Sequence, residues 1–110
     1  MSDSAPEPRL QLLMSTVPDA ATGERIAAAL VDEGLAACVQ LLPGLVSHYR
    51  WQGQRERGEE LLLLAKTVRG ADCLARLAAL HPYDVPEGLL IDAAATLPAY
   101  LRWALDASAN

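Results

Sequence analysis

Apolar positions recur along the chain with two different periods, and the changes of period mark out its elements. A short apolar stretch (Leu10, Leu12, Leu13, Met14) between Arg9 and Thr16 runs into Val17-Pro18-Asp19. Proline there stops a strand, and the Asp19 carboxylate is suited to accept bonds from the free amides of a starting helix. In that helix Gly23, Ile26, Ala27, Leu30 and Val31 repeat at i, i+3, i+4, i+7 and i+8 and define one apolar face. Gly34 suits the left-handed position that closes a helix, and Leu35 can pack back on Leu30.

The period then drops to two. From Leu45 to Trp51 one parity (Leu45, Ser47, Tyr49, Trp51) carries the aromatic rings, while the other (Val46, His48, Arg50, Gln52) is mostly polar, which is strand alternation. His48 thereby belongs to a solvent-facing parity. Gln52-Gly53 marks a turn, with glycine available for positive φ. Residues Glu60 to Val68 fit helix or strand by composition, and the hairpin-like turn before them decides for strand. The two arms then run from Ala36 to Trp51 and from Gly53 to Val68, sixteen residues each. At ~3.3 Å per residue an arm measures about 50 Å, against a diameter of roughly 34 Å for a compact chain of this length. The hairpin therefore overhangs its own domain. Pro43-Gly44 must bend the first arm, because proline cannot donate to a ladder. A projecting ribbon with unpaired edges calls for strands of a neighbouring chain, so an oligomer with an intersubunit β-sheet is expected.

After Gly70, Leu74, Leu77, Ala78 and His81 share a helical face, and Pro82 ends that helix. His81-Pro82-Tyr83-Asp84-Val85-Pro86-Glu87 cannot be helical, since each proline restricts the residue before it to extended conformations. Gly88 to Ala93 supplies a short last strand. A third helix follows, with Leu97, Tyr100, Leu101, Ala104 and Leu105 on one face, Pro98 in its first turn and Trp103 opposite. The order is β-α-β-β-α-β plus a C-terminal helix, an α+β sandwich of the ferredoxin-like type.

Composition narrows the function classes. The chain has 110 residues, enough for one domain over residues 9–110, with residues 1–8 a polar, proline-containing tail expected to be disordered. About 65% of the unfolded chain's surface is expected to be buried at this size, so a core forms without disulfide or metal staples. Nine basic residues against fourteen acidic give a net charge of −5 and a pI of about 4.8. Nucleic acid and anionic membrane surfaces are thereby disfavoured as partners. Two cysteines 35 residues apart, in no metal-knuckle spacing, and the lack of a long apolar run point to a soluble cytoplasmic protein. The seven glycines form no phosphate-cradling loop.

Seven pieces of the chain, in order and spacing, carry a resemblance: Thr16-Val17-Pro18-Asp19, Glu33-Gly34-Leu35-Ala36-Ala37-Cys38-Val39, Leu42-Pro43-Gly44, Tyr49-Arg50-Trp51-Gln52-Gly53, Leu64-Ala65-Lys66-Thr67, His81-Pro82-Tyr83-Asp84-Val85-Pro86-Glu87 and Pro98-Ala99-Tyr100-Leu101-Arg102-Trp103. Together they resemble the CutA divalent-cation tolerance family from Arg9 onward. The resemblance implies a ferredoxin-like homotrimer, similar in build to PII signalling proteins and linked to tolerance of copper and other divalent ions. It also implies that Cys38, Tyr49, Trp51, Lys66, His81, Tyr83, Glu87 and Trp103 lie near clefts between subunits. Three positions depart from the family pattern. Gln40 stands for the usual Asn, Leu97 for a polar capping residue, and Leu80 for a His found in some copper-associated members, which takes away a potential ligand.

Within that frame the residues suggest metal ions or small molecules as ligands, with no obligatory cofactor and no catalytic role. Cys38 offers a soft sulfur suited to copper, though it also reads as a small buried hydrophobe on a strand. His81 offers an imidazole, or else simply a favourable charge at a helix end. Two protein ligands fall short of the four that a structural site uses, so an ion would be shared between chains or completed by water. Lys66, the only lysine, reads as a functional base or anion contact, or as a charge paired with Glu60 or Glu87. Tyr49, Trp51 and Tyr83 read as a cleft wall or as interface anchors, and Glu87 as a charge partner. A PII-like signalling or assembly module, with metal binding incidental, is the alternative.

Overall fold

The structure, a computed structural model, describes residues 8–109. The tail expected over residues 1–8 therefore falls, except for Pro8, outside the described residues. The elements are β1 (Gln11–Val17), α1 (Ala20–Asp32), β2 (Cys38–Trp51), β3 (Gln54–Thr67), α2 (Gly70–Leu80), β4 (Leu89–Asp92) and α3 (Pro98–Ala107). One antiparallel sheet has the order β2-β3-β1-β4, which is the expected ferredoxin-like topology with an added C-terminal helix.

Local chemistry sets the helix ends. Asp19 caps α1 by accepting the Thr22 N–H at 2.8 Å, and that bond holds its carboxyl below the ordinary value. At the other end Gly34 takes φ +70°, with Leu35 N–H bonding Leu30 O at 2.9 Å and Gly34 N–H bonding Val31 O at 3.0 Å. These are the paired bonds of a Schellman motif, and they return the buried Leu35 to the buried Leu30. Gly23 lets α1 approach the sheet: a Cβ there would lie 3.1 Å from both Leu41 and Val17.

The core lies between the two helices and one sheet face. Leu13 and Val17 of β1, Leu63 and Ala65 of β3, Ile26 and Leu30 of α1, and Cys73 and Leu77 of α2 form it. Four sequence expectations shift here. The buried face of α2 is Gly70, Cys73 and Leu77, so Ala78 is exposed and Leu74 only half-buried. A cysteine serves as a small hydrophobe there, and that is why an aliphatic count alone misplaces the face. His81 is not in the helix but caps it in extended conformation, φ −76° and ψ 138°, as Pro82 requires of the residue before it. Leu97 likewise sits at the N-cap of α3, outside the helical face, and is 77% exposed, while Ala104 is the buried residue of that helix. On α1, Val31 lies at the edge of the apolar face and is exposed, leaving Gly23, Ile26 and Leu30 buried.

The ribbon projects as its length demands. β1 pairs only with residues 61–67 of β3, so the stretch from Gln54 to Glu60 pairs with β2 alone. The molecule measures 53 × 29 × 24 Å, with a radius of gyration of 15.4 Å against about 13 Å for a compact chain of this length. The arms are shorter than expected, fourteen residues each. The ladder slips by one residue between Leu42 and Leu45, and Gly44 at φ +86° accommodates the bulge that Pro43 imposes. Gln52 and Gly53, at φ 50° and 80°, make the primed turn at the tip.

The second sheet face is also apolar. Opposite the core, Leu12 and Met14 of β1, Leu62 and Leu64 of β3, and Leu89 and Ile91 of β4 alternate with the buried residues, and Leu42 joins them on β2. Leu42 is 60% exposed, Leu89 50% and Ile91 41%. No helix among the described residues is long and apolar enough to cross a membrane.

Candidate functional site

The segment after α2 builds one wall of a cleft. Both nitrogens of the buried His81 ring are used: Nε2 donates to Thr16 O at 2.7 Å, and Nδ1 accepts the Tyr83 N–H at 3.2 Å. These bonds fix the neutral tautomer with its proton on Nε2. Tyr83 then lies 4.7 Å from the His81 ring, centre to centre, and its hydroxyl donates to Glu60 Oε2 at 3.0 Å. Burial pushes the Tyr83 hydroxyl up to about 12, with the Glu60 bond and charge adding to it, so the group stays a donor.

The ribbon builds the other wall. Beyond the bulge Ser47, Tyr49 and Trp51 share a ribbon face with Glu56, Gly58 and Glu60 of β3. Gly58 leaves space over which Tyr49 leans, its Cε1 standing 3.8 Å from where a Cβ would be. Between the walls is a cleft of about 570 Å³ whose lining includes Thr16, Tyr49, Trp51, Glu60, Tyr83 and Glu87. Four carboxylates line it (Glu59, Glu60, Asp84, Glu87), and no Lys or Arg does. It is an acidic, aromatic site.

Cys38 and Lys66 lie at the other end of the sheet. They are direct cross-strand partners, and the Lys66 ammonium donates to the side-chain carbonyl of Gln40 rather than pairing with Glu60 or Glu87. Tyr100 of α3 is close enough to feel Cys38: its hydroxyl is held above the ordinary value first by burial and then by the charge of that thiol. Trp103 is exposed and stacks on Tyr100 at 5.4 Å. Lys66 stands six positions beyond Glu60 on β3, about 20 Å along the strand.

The expected residues thus divide. Tyr49, Trp51, Tyr83 and Glu87 meet at the cleft. Cys38 and Lys66 meet at the opposite end, near the Tyr100 that carries Trp103. His81 stands behind the cleft wall, committed to backbone groups. Cys38 and His81 do not meet within one chain, and no group of three or more His, Cys, Asp or Glu among the described residues is placed to hold a metal ion. Glu60 and Asp84 were missing from the expected cleft. Strand parity could have supplied Glu60, which shares the face of Tyr49, whereas Asp84 follows only from the path of the HPY segment.

Known proteins resemble this arrangement over most of its length. The family described as CutA1 divalent ion tolerance protein matches residues 11–107. The divalent-cation tolerance protein CutA of Thermus thermophilus is 46% identical over 95 residues, covering 84% of this chain and 92% of that protein. The chloroplastic protein CutA of Arabidopsis thaliana is 35% identical over 97 residues, covering 86% of this chain and 53% of that one. The crystal structure of CutA from Xylella fastidiosa superposes with a TM-score of 0.87 at 46% identity, covering 90% of this chain and 97% of that chain.

Proposed function

The chain belongs to the CutA1 divalent ion tolerance family, and from that membership we propose that it serves divalent-cation tolerance as a homotrimer holding ions or small ligands at clefts between its copies. One observation carries the reading: the sheet face opposite the core holds an apolar patch of Leu12, Met14, Leu62, Leu64, Leu89 and Ile91 with Leu42, beside the Gln40–Lys66 pair, and Leu42, Leu89 and Ile91 stay exposed in the single chain. A face of that kind is covered by protein in a stable assembly. Packing three such faces together and sharing the overhanging ribbons brings the Cys38 end of one copy close to the cleft end of another. A homotrimer thereby joins residues that a single chain keeps apart.

Capture, not turnover, is the mechanism. Cys38 offers a half-buried free thiol, the soft ligand for copper, and the carboxylates of the cleft attract cations. His81 binds an ion only by giving up Thr16 O or the Tyr83 N–H. Both cysteines are free, which suits the cytoplasm. Calorimetric titration with Cu²⁺ and Zn²⁺ tests the reading. Saturable heat with copper that disappears in Cys38→Ala supports it, and no heat with either ion opposes it.

A second reading is a PII-like signalling or assembly module in which metal is incidental. It is favoured by the spread of the cleft carboxylates, which form no ready chelating group among the described residues. In that case a protein partner stays bound when a chelator is added.

A further inference from the structure

Resting on the capture reading, we propose that the cleft between the ribbon and residues 83–87 binds an organic ammonium cation rather than a bare metal ion. Size is the first ground. A cleft of about 570 Å³ is of the scale that takes whole small molecules, roughly 300–1,000 Å³. A bare ion needs about four ligands converging within ~2 Å of one point. The described residues provide no such convergence.

Charge and ring chemistry give the second ground. The walls present Tyr49, Trp51 and Tyr83 together with Glu60, Asp84 and Glu87, while the lining contains no Lys or Arg. Tyr49 and Trp51 remain nearly half exposed in a chain that buries its aliphatic core completely. Ring faces attract alkylammonium groups, whose methyl or methylene carbons also cover apolar area, and carboxylates supply the long-range attraction. A small hydrated metal ion gains little from indole and phenol rings.

The third ground is that the wall is built in advance. Glu60 Oε2 fixes the Tyr83 hydroxyl, and His81 fixes the Tyr83 backbone through Nδ1 while anchored to Thr16 O. Tyr83 therefore meets a ligand with its ring already oriented, and little ordering remains to be done on binding.

The experiment uses the intact protein labelled with 5-fluorotryptophan. Its two ¹⁹F resonances, from Trp51 and Trp103, are assigned with a Trp51→Phe variant. The probes are (2-hydroxyethyl)trimethylammonium, its neutral isostere 3,3-dimethylbutan-1-ol, and Zn²⁺. The expected result is a saturable shift of the Trp51 resonance with the ammonium ion alone, and about tenfold weaker binding in Glu60→Gln, which keeps an acceptor for Tyr83. An equal response to the neutral isostere overturns the proposal, as does a Trp51 shift with Zn²⁺ or no shift with any probe. Copper heat that depends on Cys38, with Trp51 silent to ammonium, overturns this inference alone. A Trp51 response without copper heat overturns the metal reading alone.

Discussion

His81 Nε2 donates to the carbonyl oxygen of Thr16 at 2.7 Å, which fastens the residue leaving α2 to the end of the central strand 65 positions earlier. The other ring nitrogen takes the Tyr83 N–H, so one buried imidazole joins the core to the cleft wall. His81→Ala leaves a buried carbonyl and a backbone N–H without their partner, and it is expected to lower stability by about 2–3 kcal/mol. Urea unfolding at fixed protein concentration reads this, and an unchanged midpoint contradicts the pinning role.

Cys73 ties the core to pH. Burial pushes its thiol from the usual 9.0 up to about 11, against smaller opposing effects of Thr67 and Arg69. The unfolded thiol therefore ionises first. The contribution is complete below about pH 9 and falls away as pH rises through the folded value, a loss of about 2–3 kcal/mol. Tyr83 acts in the same direction between its usual 10 and about 12. The expected outcome is a urea midpoint that drops above pH 9 and drops less in Cys73→Ala. A thiol reagent should also reach Cys38 well before Cys73, and the reverse order contradicts the burial of Cys73.

The hairpin tip carries a small, correctable strain. Gln52 occupies φ 50°, a region that asparagine enters more readily than glutamine. Gln52→Asn is expected to raise stability by about 0.5 kcal/mol, whereas Gly44→Ala at φ +86° is expected to cost about 1 kcal/mol through backbone conformation alone. Nothing lies within 4 Å of a Cβ at Gly44, so crowding plays no part. Thermal unfolding checks both signs.

Much of this was legible in the sequence because its signals were local. Pro43-Gly44 announced the bulge, Gln52-Gly53 the turn, Asp19 and Gly34 the ends of α1, and the arm length the overhang. What escaped depended on contacts between distant residues or on a residue's double character. Cys73 was left out of the apolar face expected for α2, and it proved to be core. Lys66 found Gln40 rather than an acid, and the Tyr83–Glu60 bond spans 23 residues with no pattern between them. The run from Leu61 to Leu64 held a missed message: a strand apolar in both parities is apolar on both sheet faces. Leu61 and Leu63 serve the core, and Leu62 and Leu64 serve the open face.

That open face makes a prediction of its own. Ile91 is 41% exposed in the single chain, so Ile91→Glu should cost the fold little, while placing a charge on the face proposed to pack between copies. Circular dichroism is expected to stay unchanged while the assembly falls apart into smaller species. An intact assembly carrying Glu at position 91 contradicts the role given to this face.

The most direct test of the proposal is the mass of the protein in solution, because the proposed clefts between copies require those copies to pack face to face. Sedimentation equilibrium at micromolar concentration is predicted to give three times the 11.8 kDa of the chain. A stable species at the single-chain mass contradicts it.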